Sequence, residues 1–107
     1  MVTLEDARKI IAAAEKKAKE LRQPMNIAVA DGGGNLVAHV RMEDLAKYSQ
    51  SGDQFFGIHA SNGGRVMIFA GGVPLRRAGK VVGAVGVSGG SGEQDHAVAE
   101  AGAQAFE

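Results

Sequence analysis

Clusters of glycine separate short apolar runs along this chain, and they constrain its fold more than any other feature of the sequence. The 107 residues include 16 glycines, most of them in clusters at residues 32–34, 63–64, 71–72 and 89–92. Glycine between apolar runs marks tight turns or a close approach of two backbones. The chain is long enough for one hydrophobic core. We therefore expect a single domain over residues 1–107, built from short elements joined by turns.

The segment before the first glycine cluster predicts a helix. Between Leu4 and Leu21, apolar residues recur at spacings of three and four, which places them in one stripe on a helix. Thr3 followed by Asp6 has the pattern of a capping box at the start of that helix. Pro24 is expected to end it.

A second helix is predicted at the other end of the chain, from about residue 92 to residue 106. Ser91 and Gln94 have the spacing of a capping box. The side chains available for its buried face are those of Ala97, Val98, Ala101, Ala105 and Phe106.

Between the helices, short apolar runs bounded by turn residues predict strands. The predicted strands are residues 25–30, 36–41, 65–70 and 80–87, with a further short run at 58–60. We expect residues 71–75 to be a non-helical connection and residues 76–80 to be an exposed turn. Gly83 and Gly86, inside the last strand, suggest a helix that crosses the sheet closely. Because hairpins dominate, the prediction is an α+β fold with a four- to five-stranded antiparallel sheet packed by the two terminal helices.

Composition excludes several classes of function. Twelve basic residues balance twelve acidic ones, so the broad positive field on which non-specific nucleic-acid binding depends is absent. No apolar run approaches the roughly 20 residues that span a bilayer, and no secretory signal is visible at the start of the sequence. Without cysteine there is no disulfide framework or thiolate nucleophile. We expect a cytoplasmic protein with no nucleic-acid or membrane partner.

The glycine- and serine-rich loop before the second helix is the strongest local motif. A strand, such a loop and a helix start together offer free backbone N–H groups and a helix dipole to an anion. The candidate ligand-binding residues here are Gly89, Gly90 and Ser91. The spacing fits neither a dinucleotide fingerprint nor a Walker motif. Glu93 and Asp95 place negative charge at the same helix start, so helix capping is the alternative to ligand contact.

Two histidines lie in patterns that suggest chemistry. His39 and Arg41 share one face of a predicted strand and could hold a carboxylate together; a polar, solvated strand face is the alternative. His96 lies between Glu93 and Glu100 on the second helix, which is the pattern of a surface ion-pair cluster. The sequence contains no second Glu-x-x-His motif on a partner helix, so no metal site is predicted.

Four segments together resemble the GlcG-like family, described as haem-binding or haem-degrading, to which the C-terminal domain of some cobalamin adenosyltransferases is similar. They are TLEDA at residues 3–7, DGGGNLV at 31–37 with RM at 41–42, NGGRVMIFAGGVPL at 62–75 and GAVGVSGGSGEQD at 83–95. The resemblance implies a profilin-like fold, assembly into homo-oligomers, and binding of haem, a corrinoid-related ligand or a small metabolite.

The sequence departs from the family pattern in two places. Relatives usually carry a further helix after the Arg-Met pair, whereas here residues 42–44 run almost directly into the next segment. Either this chain lacks that helix, or the segment was omitted before the residues were numbered. Haem-binding relatives can use a histidine of the first helix as an axial ligand, and the first helix of this chain has none. The remaining histidines are His39, His59 and His96.

Three functional hypotheses follow from these patterns. The preferred one is a small-ligand-binding oligomeric protein directed to haem or a related tetrapyrrole. The second is a weak haem-degrading or metabolite-converting enzyme in which Glu93 or Asp95 acts as acid or base. The third is a non-catalytic structural accessory whose glycines serve subunit packing.

Overall fold

In the part of the chain that the structure describes, two helices pack on one face of a four-stranded antiparallel sheet. The computed structural model describes residues 1–43 and 71–106. The elements are α1 (Leu4–Glu20), β1 (Asn26–Asp31), β2 (Leu36–Arg41), β3 (Gly72–Arg77), β4 (Lys80–Ser88) and α2 (Gly92–Gln104). The strand order is β2-β1-β4-β3, and all neighbouring pairs are antiparallel. The predicted α+β class is confirmed: the strands of an antiparallel sheet lie between the two helices in chain order.

The core lies between the helices and one face of the sheet. Alternate residues of the central strands, Ile27 and Val29 on β1 with Val85 and Val87 on β4, are almost completely buried. They belong to the same apolar cluster as the buried face of α1. Because side chains alternate along a strand, residues such as Asn26 and Ala28 lie on the opposite face of the sheet.

The first helix forms as its pattern predicts. Thr3 and Asp6 make both hydrogen bonds of a capping box, at 3.0 and 2.9 Å. These bonds satisfy backbone N–H groups that would otherwise lack a partner at the helix start. The buried stripe consists of Ala7, Ile10, Ile11, Ala14 and Ala18. After Glu20 the chain leaves the helix through Arg22, whose φ of 55° is left-handed.

The second helix begins where its capping box predicts. Ser91 and Gln94 form both bonds, at 2.9 and 3.1 Å. Of the side chains predicted to be buried, Val98 and Phe106 are buried, Ala97 and Ala101 are partly buried, and Ala105 is exposed. The helix itself ends at Gln104. It packs closely on α1 at Gly102, where an added Cβ would stand 3.1 Å from a methyl group of Ile10.

The connection predicted over residues 71–75 is a strand, and the turn predicted over residues 76–80, although exposed, is shorter than expected. Residues 72–77 form β3, and the turn shrinks to Ala78 and Gly79, with φ values of 54° and 80°. The Val87 N–H donates to the Gly71 carbonyl at 2.7 Å, so the alternating ladder leaves the Pro74 nitrogen facing away from β4. Proline is tolerated in a strand at such a position.

Gly83 serves a different purpose from the predicted helix crossing. A Cβ added there would overlap the carbonyl oxygen of Ala30 on β1 and stand 2.9 Å from Val2. The close approach is therefore made by the neighbouring strand and by Val2, two residues before α1. The predicted hairpin of residues 58–70, with His59, lies outside the described residues.

Arg77, at the end of β3, contacts both ends of the described chain. Its guanidinium lies 4.3 Å from the centre of the Phe106 ring. It also donates to the Met1 carbonyl at 3.2 Å and lies 3.9 Å from the Asp6 carboxylate. These contacts hold the start of α1 and the segment after α2 against β3.

Candidate ligand-binding site

A row of polar residues crosses three strands at one end of the sheet. The register places Asn26 of β1 between Arg41 of β2 and Ser88 of β4. The three side chains lie on the face opposite α1 and α2, since their neighbours Ile27 and Val87 point into the core. Arg41 is exposed, whereas Asn26 and Ser88 are buried. The row therefore runs from an exposed cation to buried hydrogen-bonding groups.

His39 lies on the same face, two residues before Arg41 on β2. Its Nε2 atom is 3.4 Å from the Asn26 Oδ1 atom. Partial burial lowers the pKa of the His39 imidazole, and the positive charge of Arg41 lowers it further. The ring is consequently neutral near pH 7, a form that can both donate and accept hydrogen bonds.

The glycine-rich loop begins immediately after this row, because Gly89 follows Ser88. Gly89 has a φ of 128°, which favours glycine, and its carbonyl accepts from the Gln23 side-chain amide at 3.1 Å. The Gly90 N–H donates to Asp95 Oδ1 at 2.9 Å, and the Ser91 N–H donates to Gln94 Oε1 at 2.9 Å. Two of the backbone donors predicted to hold an anion are therefore bonded to side chains of the chain itself.

The two carboxylates predicted as acid or base have different environments. Asp95 is 6% exposed, while Glu93 is exposed. Burial raises the pKa of the Asp95 carboxyl, and the hydrogen bond from Gly90 opposes that shift. The structure thus separates a solvated Glu93 from an Asp95 that is packed beneath the loop, next to Gly71.

The structure brings together most of the residues that the sequence nominated for ligand binding. His39 and Arg41 lie at the same end of the sheet as Gly89, Gly90 and Ser91 because Asn26 pairs with both Arg41 and Ser88. Sequence reasoning missed Asn26 and Ser88, which connect the two groups. A polar residue at the start of an otherwise apolar strand was the available signal for Asn26.

Two negative findings apply to residues 1–43 and 71–106. No group of three or more His, Asp or Glu side chains converges there in a way that could hold a metal ion. None of the helices formed by these residues is both long and apolar enough to cross a membrane.

Comparison with known proteins supplies the family. The family profile described as "Haem degrading protein HbpS-like" matches residues 2–50 and 43–104. The chain belongs to the HbpS-like family. A curated relative of this HbpS-like chain is an uncharacterized 15.0 kDa protein of Citrobacter freundii, encoded between dhaT and dhaS, with 35% identity over 98% of this chain and 92% of the relative. The corrinoid adenosyltransferase PduO of Citrobacter freundii is 28% identical over 92% of this chain, which spans 37% of PduO.

Two solved structures share the HbpS-like fold. The Klebsiella pneumoniae protein ORFY has a TM-score of 0.76 and 30% identity, covering 98% of this chain and 90% of ORFY. A structure of a PduOC:heme complex has a TM-score of 0.71 and 25% identity, covering 94% of this chain and 91% of that one. The resemblance to the GlcG-like family and to a cobalamin adenosyltransferase is confirmed.

Proposed function

We propose that this chain binds haem or a closely related tetrapyrrole, with Arg41 and His39 contacting a propionate carboxylate. The observation that supports this most directly is that Arg41 and His39 share one sheet face, at the same end of the sheet as the glycine-rich loop. Family membership and the likeness to a haem complex of PduOC supply the ligand class.

The chemistry of the two side chains suits the carboxylate edge of haem. An exposed guanidinium can hold a carboxylate through two parallel N–H donors. The neutral His39 ring can add a hydrogen bond without being charged, and Asn26 beside it fixes one ring nitrogen near an acceptor. Haem, when bound, would supply an iron centre capable of redox chemistry; the axial ligand is not assigned to any residue in this proposal.

Titration of the purified protein with haemin, followed by the shift of the Soret band, tests the proposal. Haemin dimethyl ester serves as the matched ligand because it lacks free carboxylates. We expect Arg41→Gln to weaken haemin binding about tenfold and to leave the dimethyl ester unaffected, since charge-assisted bonds contribute about 1.5–3 kcal/mol. Arg8→Gln, which removes an exposed arginine on α1, should change neither.

Histidine variants provide the second arm of this experiment. His39→Ala should weaken haemin binding, whereas His96→Ala should not, since His96 lies on α2 and pairs with Glu100 at 3.4 Å. Absence of a saturable Soret shift in the unmodified protein would refute haem binding and favour the structural-accessory hypothesis. Equal loss for haemin and its ester in Arg41→Gln would refute the propionate contact.

Haem degradation is a second candidate, and the environment of Asp95 favours it. Burial raises the pKa of the Asp95 carboxyl, and a carboxyl whose pKa is raised in this way is a candidate acid or base. In this hypothesis Asp95 rather than Glu93 carries the proton. The test is loss of the haem spectrum under oxygen with a reductant, at a rate above that of free haem and abolished in Asp95→Asn. An unchanged rate in the variant would eliminate this role.

We also propose that the domain forms homo-oligomers. A separate proposal concerns the helix that relatives carry near residues 42–44: this chain either lacks it or the segment is missing from the numbered sequence. The aligned span with the 15.0 kDa relative is 130 residues, longer than this chain, and the two family matches overlap at residues 43–50. Light scattering after gel filtration would measure the assembly; a monomer at all concentrations would refute it. Backbone chemical shifts of residues 42–50 that showed a helix would contradict the missing-helix proposal.

A further inference from the structure

A cleft lies between β3 and α2, at the edge of the sheet farthest from β2. Its volume is about 300 Å³, at the lower end of the range for small-ligand pockets, about 300–1,000 Å³. The lining residues are Val73, Pro74, Arg76, Glu100, Ala103 and Gln104. Since β3 and β2 are at opposite ends of the strand order, this cleft is separate from the proposed haem site.

The two walls of this cleft carry opposite charges that do not neutralise each other. Arg76, on the strand wall, is exposed and makes no ion pair or hydrogen bond with any residue in the described ranges. Glu100, on the helix wall, pairs instead with His96. The last turn of α2 contains no basic residue, so the partial negative charge of the helix end adds to that of Glu100.

From this arrangement we infer that the cleft binds a small zwitterion, such as an α-amino acid with a short apolar side chain. The ligand carboxylate pairs with Arg76 on the strand wall. The ligand ammonium pairs with Glu100, and the Gln104 side chain offers a further acceptor. Val73, Pro74 and Ala103 provide the apolar surface that the side chain of the ligand contacts.

The charge pattern distinguishes a zwitterion from a simple acid or amine. A lone carboxylate would meet Arg76 but also the negative helix wall, and a lone amine would meet Glu100 but also the cation of Arg76. Only a molecule carrying both charges satisfies both walls. The apolar contacts favour a short aliphatic side chain over a charged one.

The experiment uses L-valine with two ligands that each lack one charge, isovalerate and isobutylamine, and follows amide shifts by NMR. We expect saturable shifts for Val73, Arg76, Ala103 and Gln104 with L-valine, and binding at least about tenfold weaker for the other two ligands. Arg76→Gln should weaken L-valine binding about tenfold. Lys80→Gln, which removes a neighbouring exposed cation, should leave it unchanged.

Glu100→Gln gives a readout that a merely structural effect would not produce. The variant should weaken L-valine binding but improve isovalerate binding, because the repulsion between two carboxylates is removed. No saturable shift with L-valine would overturn the inference, as would equal affinity for L-valine and isovalerate. An unchanged L-valine affinity in Arg76→Gln would do the same. All three results are independent of haem binding, which is measured at another site.

Discussion

The Oδ1 atom of Asp95 accepts a hydrogen bond from the backbone N–H of Gly90 at 2.9 Å. This bond joins the first turn of α2 to the glycine-rich loop that precedes it. Asp95 is only 6% exposed, and burial raises the pKa of its carboxyl. The loop is therefore held by a group whose charged form is disfavoured by its surroundings.

Asp95→Asn should separate the hydrogen bond from the charge. Asparagine retains an acceptor for Gly90, so stability at pH 7 is expected to be equal to or greater than that of the unmodified protein. The folded-state pKa lies above the ordinary value of 3.8, so the folded protein gains stability, relative to the variant, as the pH falls from neutral towards 3.8. Urea unfolding at several pH values measures the difference between the two proteins.

Asp95→Ala is the control for that prediction. It removes the acceptor and leaves the Gly90 N–H without its partner, at a cost of about 1–2 kcal/mol. If Asp95→Asn destabilised the protein at pH 7 as much as Asp95→Ala does, the carboxylate charge itself would be stabilising and the interpretation given above would be wrong.

Gly71→Ala should be strongly destabilising, and Gly79→Ala only mildly so. Both glycines are left-handed, with φ values of 91° and 80°. A Cβ at Gly71 would overlap the Val87 carbonyl oxygen, whereas a Cβ at Gly79 meets nothing within 4 Å. We expect a loss of about 1 kcal/mol for Gly79→Ala and about 3 kcal/mol for Gly71→Ala. Equal losses in thermal unfolding would contradict the steric argument.

Arg77→Gln should lower the free energy of unfolding by about 1 kcal/mol, since it removes the cation–π contact and the partly exposed ion pair with Asp6. Arg76→Gln is the matched control because the neighbouring arginine has no partner among the described residues. Chemical denaturation of both variants measures the loss in the free energy of unfolding for each. A smaller loss for Arg77→Gln than for Arg76→Gln would show that the contacts do not stabilise the fold.

His39→Gln should flatten the dependence of stability on pH between about pH 7.5 and 5.5. The pKa of His39 is lowered from 6.5 in the folded state, so the unfolded chain binds the proton more readily as the pH falls through this range. The unmodified protein is therefore expected to lose stability over this interval, and the variant to lose less. His96→Gln is the comparison; the same flattening in that variant would point away from His39.

Local sequence signals predicted the elements whose formation is itself local. Both capping boxes and the bounds of β2 follow from residues three positions apart and from an apolar run beside a turn. β3 was missed because its glycine and proline argue against a strand when considered alone. It exists because β4 is paired with β1 on one side and forms a ladder with residues 72–77 on the other.

In the candidate site too, local patterns predicted some features, while others depend on contacts between distant parts of the chain. The period of two along β2 places His39 and Arg41 on one face, and this could be read from the sequence. The link to the glycine-rich loop through Asn26 depends on strand register, which no local pattern specifies. The burial of Asp95 likewise arises from the packing of α2 beneath the loop, and its three-residue neighbourhood predicts only a favourable charge at a helix start.

The guanidinium of Arg77 contacts the Met1 carbonyl and the ring of Phe106, so residues 105 positions apart along the chain are neighbours in space. A short linker would close the backbone into a ring without distorting the sheet. New ends could then be opened at the Ala78–Gly79 turn, giving a circular permutant in which the first residue follows that turn. The packing of the core therefore does not require the chain ends to lie where they do.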